Sequence, residues 1–117
     1  MRPMGIFNQY DVVVVPFPFT DKTTNKRRPT LVVSEAENFN NCIAQSVLAM
    51  ITSARNSEWP LDVEISNLDA AGLSSPSIVR MKLFTLDHKL IIRHAGRLAN
   101  TDQRCVRAAL KKLLAFG

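Results

Sequence analysis

The 117-residue sequence predicts a mainly β protein: a small, strongly curved antiparallel sheet or barrel packed by one C-terminal helix. Three observations lead there. Short runs of β-branched and apolar residues recur along most of the chain, polar turn-forming stretches separate them, and helical periodicity is convincing only at the end. The length suits one hydrophobic core, so residues 1–117 are read as a single domain.

The first strand is expected in "YDVVVVPFPF", where Val12 to Val15 are continuous and β-branched and Pro16 and Pro18 end the ladder by removing backbone donors. Residues 19–28, "FTDKTTNKRR", are polar and read as an exposed loop with cations at its tip. After Pro29, "TLVVS" is a second strand, "EAENFNN" a connector, and "CIAQSVLAMITS" from Cys42 to Ser53 a third strand. "LDVEIS" alternates Leu61, Val63 and Ile65 with Asp62 and Glu64, as a half-buried fourth strand does. "SIVRMKLFT" and "LIIRHAGRL" supply two more.

The terminal helix places Val106, Ala109, Leu110, Leu113 and Leu114 on one stripe and leaves Arg104, Arg107, Lys111 and Lys112 largely off it. Asn100 or Thr101 is its expected cap, with Gln103 bonding back if Asn100 serves. A chain this small with several apolar strands also suggests a homodimer.

Net charge is +5, and it is uneven: residues 1–79 hold six Lys/Arg against eight Asp/Glu, residues 80–117 nine against two. A basic C-terminal third suits a polyanion or an acidic protein partner, and from charge alone a merely solvated helix face is an equal reading. No apolar run approaches the roughly 18–20 residues of a membrane span, and "MRPMGIFNQYD" lacks the apolar core of a signal peptide, so the cytoplasm is the expected compartment. Cys42 and Cys105 match no metal-ligand or redox spacing and are expected to stay reduced.

Four blocks in order, "DVVVVPFPFTD", "KRRPTLVVS", "AMITS" and "SIVRMKLFTLD", resemble the MazF/PemK (Kid) family of toxin endoribonucleases from bacterial toxin–antitoxin pairs, over nearly the whole chain. The resemblance implies an SH3-like barrel, a homodimer, a cognate antitoxin partner and no cofactor or metal. It also implies cleavage of single-stranded RNA, in which a ribose 2′-hydroxyl attacks the adjacent phosphate to leave a 2′,3′-cyclic phosphate and a 5′-hydroxyl.

That chemistry needs a base, an acid and cations around a phosphorane more negative than the ground state. By resemblance, Arg28 holds the position of the family's catalytic arginine, and its guanidinium fork suits phosphate oxygens. Thr52 matches the threonine beside the scissile phosphate and is assigned positioning, because an unactivated hydroxyl is a poor base. Ser53 is its neighbour in reserve. Arg80 matches the arginine of the family's "VVR" block, which by resemblance serves catalysis as an acid or a phosphate contact. Lys26, Arg27, Ser53 and Lys82 are expected to bind RNA.

The sequence departs from the Kid-like pattern at Lys82, where those proteins carry an aspartate, and at Phe84, where many carry an arginine. Asp21, Glu35 and Asp87 are alternative carboxylates with no spacing to choose among them. Trp59, Phe17 and Phe19 either stack on unpaired bases or plug the fold. His88 and His94 match no catalytic position of the Kid type. The competing reading is a non-catalytic barrel that binds nucleic acid or poisons a protein target, as the gyrase inhibitor CcdB does.

Overall fold

The computed structural model describes residues 6–18, 26–56 and 58–116. Phe19 and Asp21 lie outside the described residues. The strands are β1 (Asp11–Pro16), β2 (Arg27–Val32), β3 (Gln45–Ser53), β4 (Val63–Glu64), β5 (Ser77–Asp87) and β6 (Arg93–Arg97). They form one antiparallel sheet in the order β4-β5-β3-β2-β1-β6, curled into a half-barrel.

The unbroken valine run of β1 follows from its place inside the sheet, between β2 and β6 and covered on both faces. Val12 joins a core on one face with Leu31, Ala49, Ile51 and Val79, against which Val106, Ala109 and Leu110 of the terminal helix pack. Val13 and Val15 join a second core on the other face with Val32, Leu48, Leu86 and Ile91. Each buried valine or leucine contributes about 1.5–3 kcal/mol. Alternation is lost because neither face meets water.

β2 starts earlier than expected. Arg27 and Arg28 belong to the strand, opposite Pro16 and Val15, and not to a loop tip. The ladder from β2 to β3 runs only from Thr30 to Val32, stopping where Pro29 has no N–H to give. "LDVEIS" contracts to the two residues of β4, because Leu61 takes a left-handed φ of 65° just before it.

The α-helices among the described residues are α1 (Asn41–Ile43), α2 (Leu68–Ala71) and α3 (Asn100–Leu114). Ala36–Asn40, within the expected connector, makes a π-helical turn capped by the Glu35 carboxylate, and α1 takes up the start of the expected third strand. α2 is bracketed by Asn67, whose side-chain oxygen accepts from the Ala70 N–H, and by Gly72 at φ 74°. α3 caps at Ala99 with no side-chain cap bond, not at Asn100 or Thr101, and Gln103 donates to the Leu98 carbonyl at 2.8 Å. Asp102 in its first turn instead accepts from Ser66 and Asn67, tying the helix to the loop before α2.

Among the described residues no helix is long and apolar enough to cross a membrane. Cys42 and Cys105 are free and exposed.

Candidate functional site

Strand register decides which side chains meet. Thr30 stands opposite Met50, and Met50 opposite Arg80, so these three lie in one row across β2, β3 and β5. Two residues along β3, Thr52 stands opposite Ile78 on the same face. Projected past Pro29, the β2 register sets Arg28 level with Thr52. Diagonal neighbours on one face have centres roughly 7 Å apart, which puts Thr52 within side-chain reach of Arg80. Arg28, Thr52 and Arg80 therefore share the face opposite to α3.

A bulge completes the group. Met50 pairs with Arg80 but Ala49 pairs with Leu83, so Met81 and Lys82 are extra residues of β5. Met81 turns into the core and Lys82 stays exposed beside Arg80, the kind of re-aiming a bulge provides. Trp59, 41% exposed, gathers both cations: the Arg80 guanidinium carbon lies 5.6 Å and the Lys82 Nζ 5.0 Å from its ring centroid. Arg28 is exposed and rests over Phe17, 5.2 Å from that centroid. Phe17 and Trp59 thus support the cations of this face.

Arg80 is nearly buried and paired. Its Nε donates to Asp62 Oδ1 at 3.2 Å and its Nη2 to Asp62 Oδ2 at 3.0 Å. Donating to this carboxylate raises the guanidinium pKa further above its ordinary value, against the opposing effect of burial. Continuing the β4 register, Val63 to Val79 and Glu64 to Ile78, sets Asp62 opposite Arg80. Glu64 falls in the row of Thr52. A hollow of about 410 Å³ opens here, lined by Asn56, Glu58, Trp59, Asp62, Glu64 and Ile78 among others. Asn56 Nδ2 donates to the Thr52 hydroxyl at its rim.

The other expected residues divide. Lys26 is exposed just before β2, and its carbonyl accepts from the Phe17 N–H at 3.0 Å. Arg27 is exposed but alternates to the opposite face from Arg28. Ser53 likewise alternates away from Thr52 and accepts from the Arg55 N–H at 3.2 Å. Glu35 and Asp87 are occupied as helix caps elsewhere.

Both histidines have partners outside this group. Buried His88 bonds Ser46 Oγ at 2.7 Å and packs edge-on against Phe7, while His94 joins Arg97 around the buried Asp11 carboxylate. Asp62 was visible in the sequence only as an outward residue of an alternating strand. Its pairing with Arg80 depends on which strand β4 joins.

The family pattern described as PemK-like, MazF-like toxin of type II toxin-antitoxin system matches residues 8–114. Comparison with curated proteins returns no match. Among solved structures, the chain is similar to the MazE-MazF (Form-II) structure from Deinococcus radiodurans, at 22% identity and a TM-score of 0.71, over 96% of this chain and 98% of that one. It is also similar to an endoribonuclease in complex with its cognate antitoxin from a mycobacterial species, at 17% identity and a TM-score of 0.75, over 97% and 98%. Mycobacterium tuberculosis toxin MazF-mt6 follows at 18% identity and 0.71, over 92% and 98%. At these identities the structural likeness speaks for the fold, and the nearly full-length pattern speaks for descent: the chain belongs to the PemK-like, MazF-like family of toxins of type II toxin–antitoxin systems.

Proposed function

We propose that this toxin is an endoribonuclease that cleaves single-stranded RNA without a metal, by attack of a ribose 2′-hydroxyl on the adjacent phosphate. The observation that carries the reading is the convergence of Arg28, Thr52, Arg80 and Lys82 on one sheet face. Similar structures include proteins described as endoribonucleases, which supports it.

Each residue has a task suited to its chemistry. Arg28 is exposed and permanently charged, and its fork donates to two non-bridging oxygens of the phosphorane. Thr52 donates its hydroxyl to hold the phosphate in line with the 2′-oxygen. Lys82 adds a mobile charge, while Arg80 acts from a fixed position beside Trp59. Lys26 lengthens the basic track, and Arg27 and Ser53, on the far face, are left with peripheral RNA contacts at most. Trp59 offers its exposed ring to an unpaired base.

Antitoxin-bound relatives support a cognate antitoxin as partner, with an acidic segment complementing the cationic face. A homodimer working in the cytoplasm completes the proposal.

The test is incubation of purified protein with a long single-stranded RNA in EDTA, mapping cut sites and end chemistry beside Arg28→Ala. Discrete cuts with 2′,3′-cyclic phosphate and 5′-hydroxyl ends, lost in the variant, are expected. RNA binding by folded protein without cleavage would replace this reading with the non-catalytic barrel.

A further inference from the structure

The most constrained cation on the site face is Arg80, and what constrains it comes from the turn that leads into β4. Its side chain is 11% exposed and that of Asp62 16%, and the two meet side-on through both carboxylate oxygens. The carboxylate is itself anchored: Trp59 N–H donates to Asp62 Oδ2 at 3.1 Å, and Asp62 N–H returns to the Trp59 carbonyl at 3.3 Å. Between them, Pro60 and Leu61 make a tight turn in which Leu61 takes the left-handed φ of 65°, a conformation that a branched side chain adopts only when its surroundings require it. One short turn thus aims a carboxylate at the guanidinium and lays an indole ring beside it.

We infer that Asp62 is a positioning residue for RNA cleavage, acting through Arg80. The inference rests on the endoribonuclease reading of this face. A free arginine side chain samples many rotamers, and a charge that must meet a phosphorane works best when its orientation is set before substrate arrives. Two hydrogen bonds to a carboxylate held by its own turn set the guanidinium plane. Trp59 covers the arrangement and holds Lys82 on the same ring as a second cation, apart from the ion pair of Asp62 with Arg80. Asp62 therefore lends geometry to Arg80, while Lys82 and Arg28 supply the charge that attracts an anion.

The experiment measures kcat and KM on a short single-stranded RNA for wild type, Asp62→Asn, Arg80→Gln and the double variant, with thermal unfolding as the control for folding. Asp62→Asn keeps the shape and loses one charged acceptor. We expect its kcat to fall about tenfold or more with KM changed less than about threefold, and we expect Asp62→Asn to change kcat less than about twofold in the Arg80→Gln background. Independent, multiplicative losses, or an unchanged kcat in folded Asp62→Asn, overturn the inference.

Should Asp62→Asn not fold, the exchange Asp62→Arg with Arg80→Asp restores the ion pair with the guanidinium on the wrong strand. Because that exchange also moves the site's own cation, the deciding variant is Asp62→Glu, which keeps the ion pair and displaces the carboxylate by one methylene: a kcat lowered with KM little changed in folded protein supports positioning, and wild-type kcat reduces the pair to a structural one and overturns it. A wild-type protein that cuts no RNA overturns the endoribonuclease reading and this inference together, whereas an active wild type with an unaffected Asp62→Asn overturns this inference alone.

Discussion

Replacing Asp102 by alanine removes the side chain that ties α3 to the rest of the fold. The carboxylate is 2% exposed and serves three donors: the Ser66 N–H at 3.0 and 3.1 Å, the Ser66 hydroxyl at 2.7 Å and the Asn67 N–H at 3.0 Å. A hydrogen bond to a charged group is worth about 1.5–3 kcal/mol when buried, but Ser66 and Asn67 border solvent and water replaces part of the loss, leaving about 1 kcal/mol each. The favourable placement of an anion in the first turn of α3 adds about 0.5 kcal/mol. The expected cost is about 3.5 kcal/mol near neutral pH, a large share of the roughly 5–15 kcal/mol that holds a domain together.

The pH dependence has a definite sign. Burial by itself would raise the Asp102 carboxyl, but hydrogen bonds from Asn67 and Ser66 outweigh it and hold the group below its ordinary value of 3.8. A carboxyl whose folded pKa is depressed stabilises the fold above its unfolded pKa and loses that contribution as pH falls through the folded one. Urea unfolding of wild type and Asp102→Ala should therefore differ most near pH 7, and the difference should shrink as pH falls below 3.8. A difference under about 0.5 kcal/mol at pH 7, or one that grows toward acid, would refute the account.

Arg28→Ala should lower cleavage about 100-fold or more, as loss of a charge-stabilising donor does, while unfolding shifts by less than about 0.5 kcal/mol for so exposed a side chain; a fully active variant would remove Arg28 from the chemistry. Lys82→Ala should flatten the salt dependence of RNA binding by about 0.7 in log–log slope, the value for one single-strand phosphate contact. Neutralising Lys111 and Lys112 should leave that slope unchanged, because α3 packs behind the sheet; equal effects from both would place RNA across α3. Gly72→Ala should destabilise the fold, since the added Cβ would lie 2.1 Å from the Ala95 carbonyl oxygen at a φ of 74°. Overpacking costs about 1–3 kcal/mol and the left-handed backbone about 1 more, so urea unfolding within about 0.5 kcal/mol of wild type would contradict the close contact.

Local patterns made much of this protein legible. The valines of β1, the apolar run of β5 and the stripe of α3 state their own conformation, because β-branching, alternation and 3.6-residue spacing act within a few residues of each other. The four ordered blocks carried the family, and with it the choice of Arg28, Thr52 and Arg80. Short elements were harder: α2 has only Asn67 and Gly72 to announce it, and Leu61 conceals a turn within an alternating run, since a hydrophobic pattern does not report φ.

By itself, then, the sequence determined the β-rich class, the terminal helix, the basic C-terminal third and the residues that resemble a phosphate site. Only the tertiary structure decided that Arg28 lies within β2, that Thr52 and not Ser53 shares a sheet face with Arg28 and Arg80, and that α3 packs on the other face of the sheet. It also chose Asp62, far from Arg80 in sequence, as the carboxylate that meets it. The physical reason is that strand conformation is a local property, whereas strand order, register and the bulge at Met81 and Lys82 are set by pairing between distant segments.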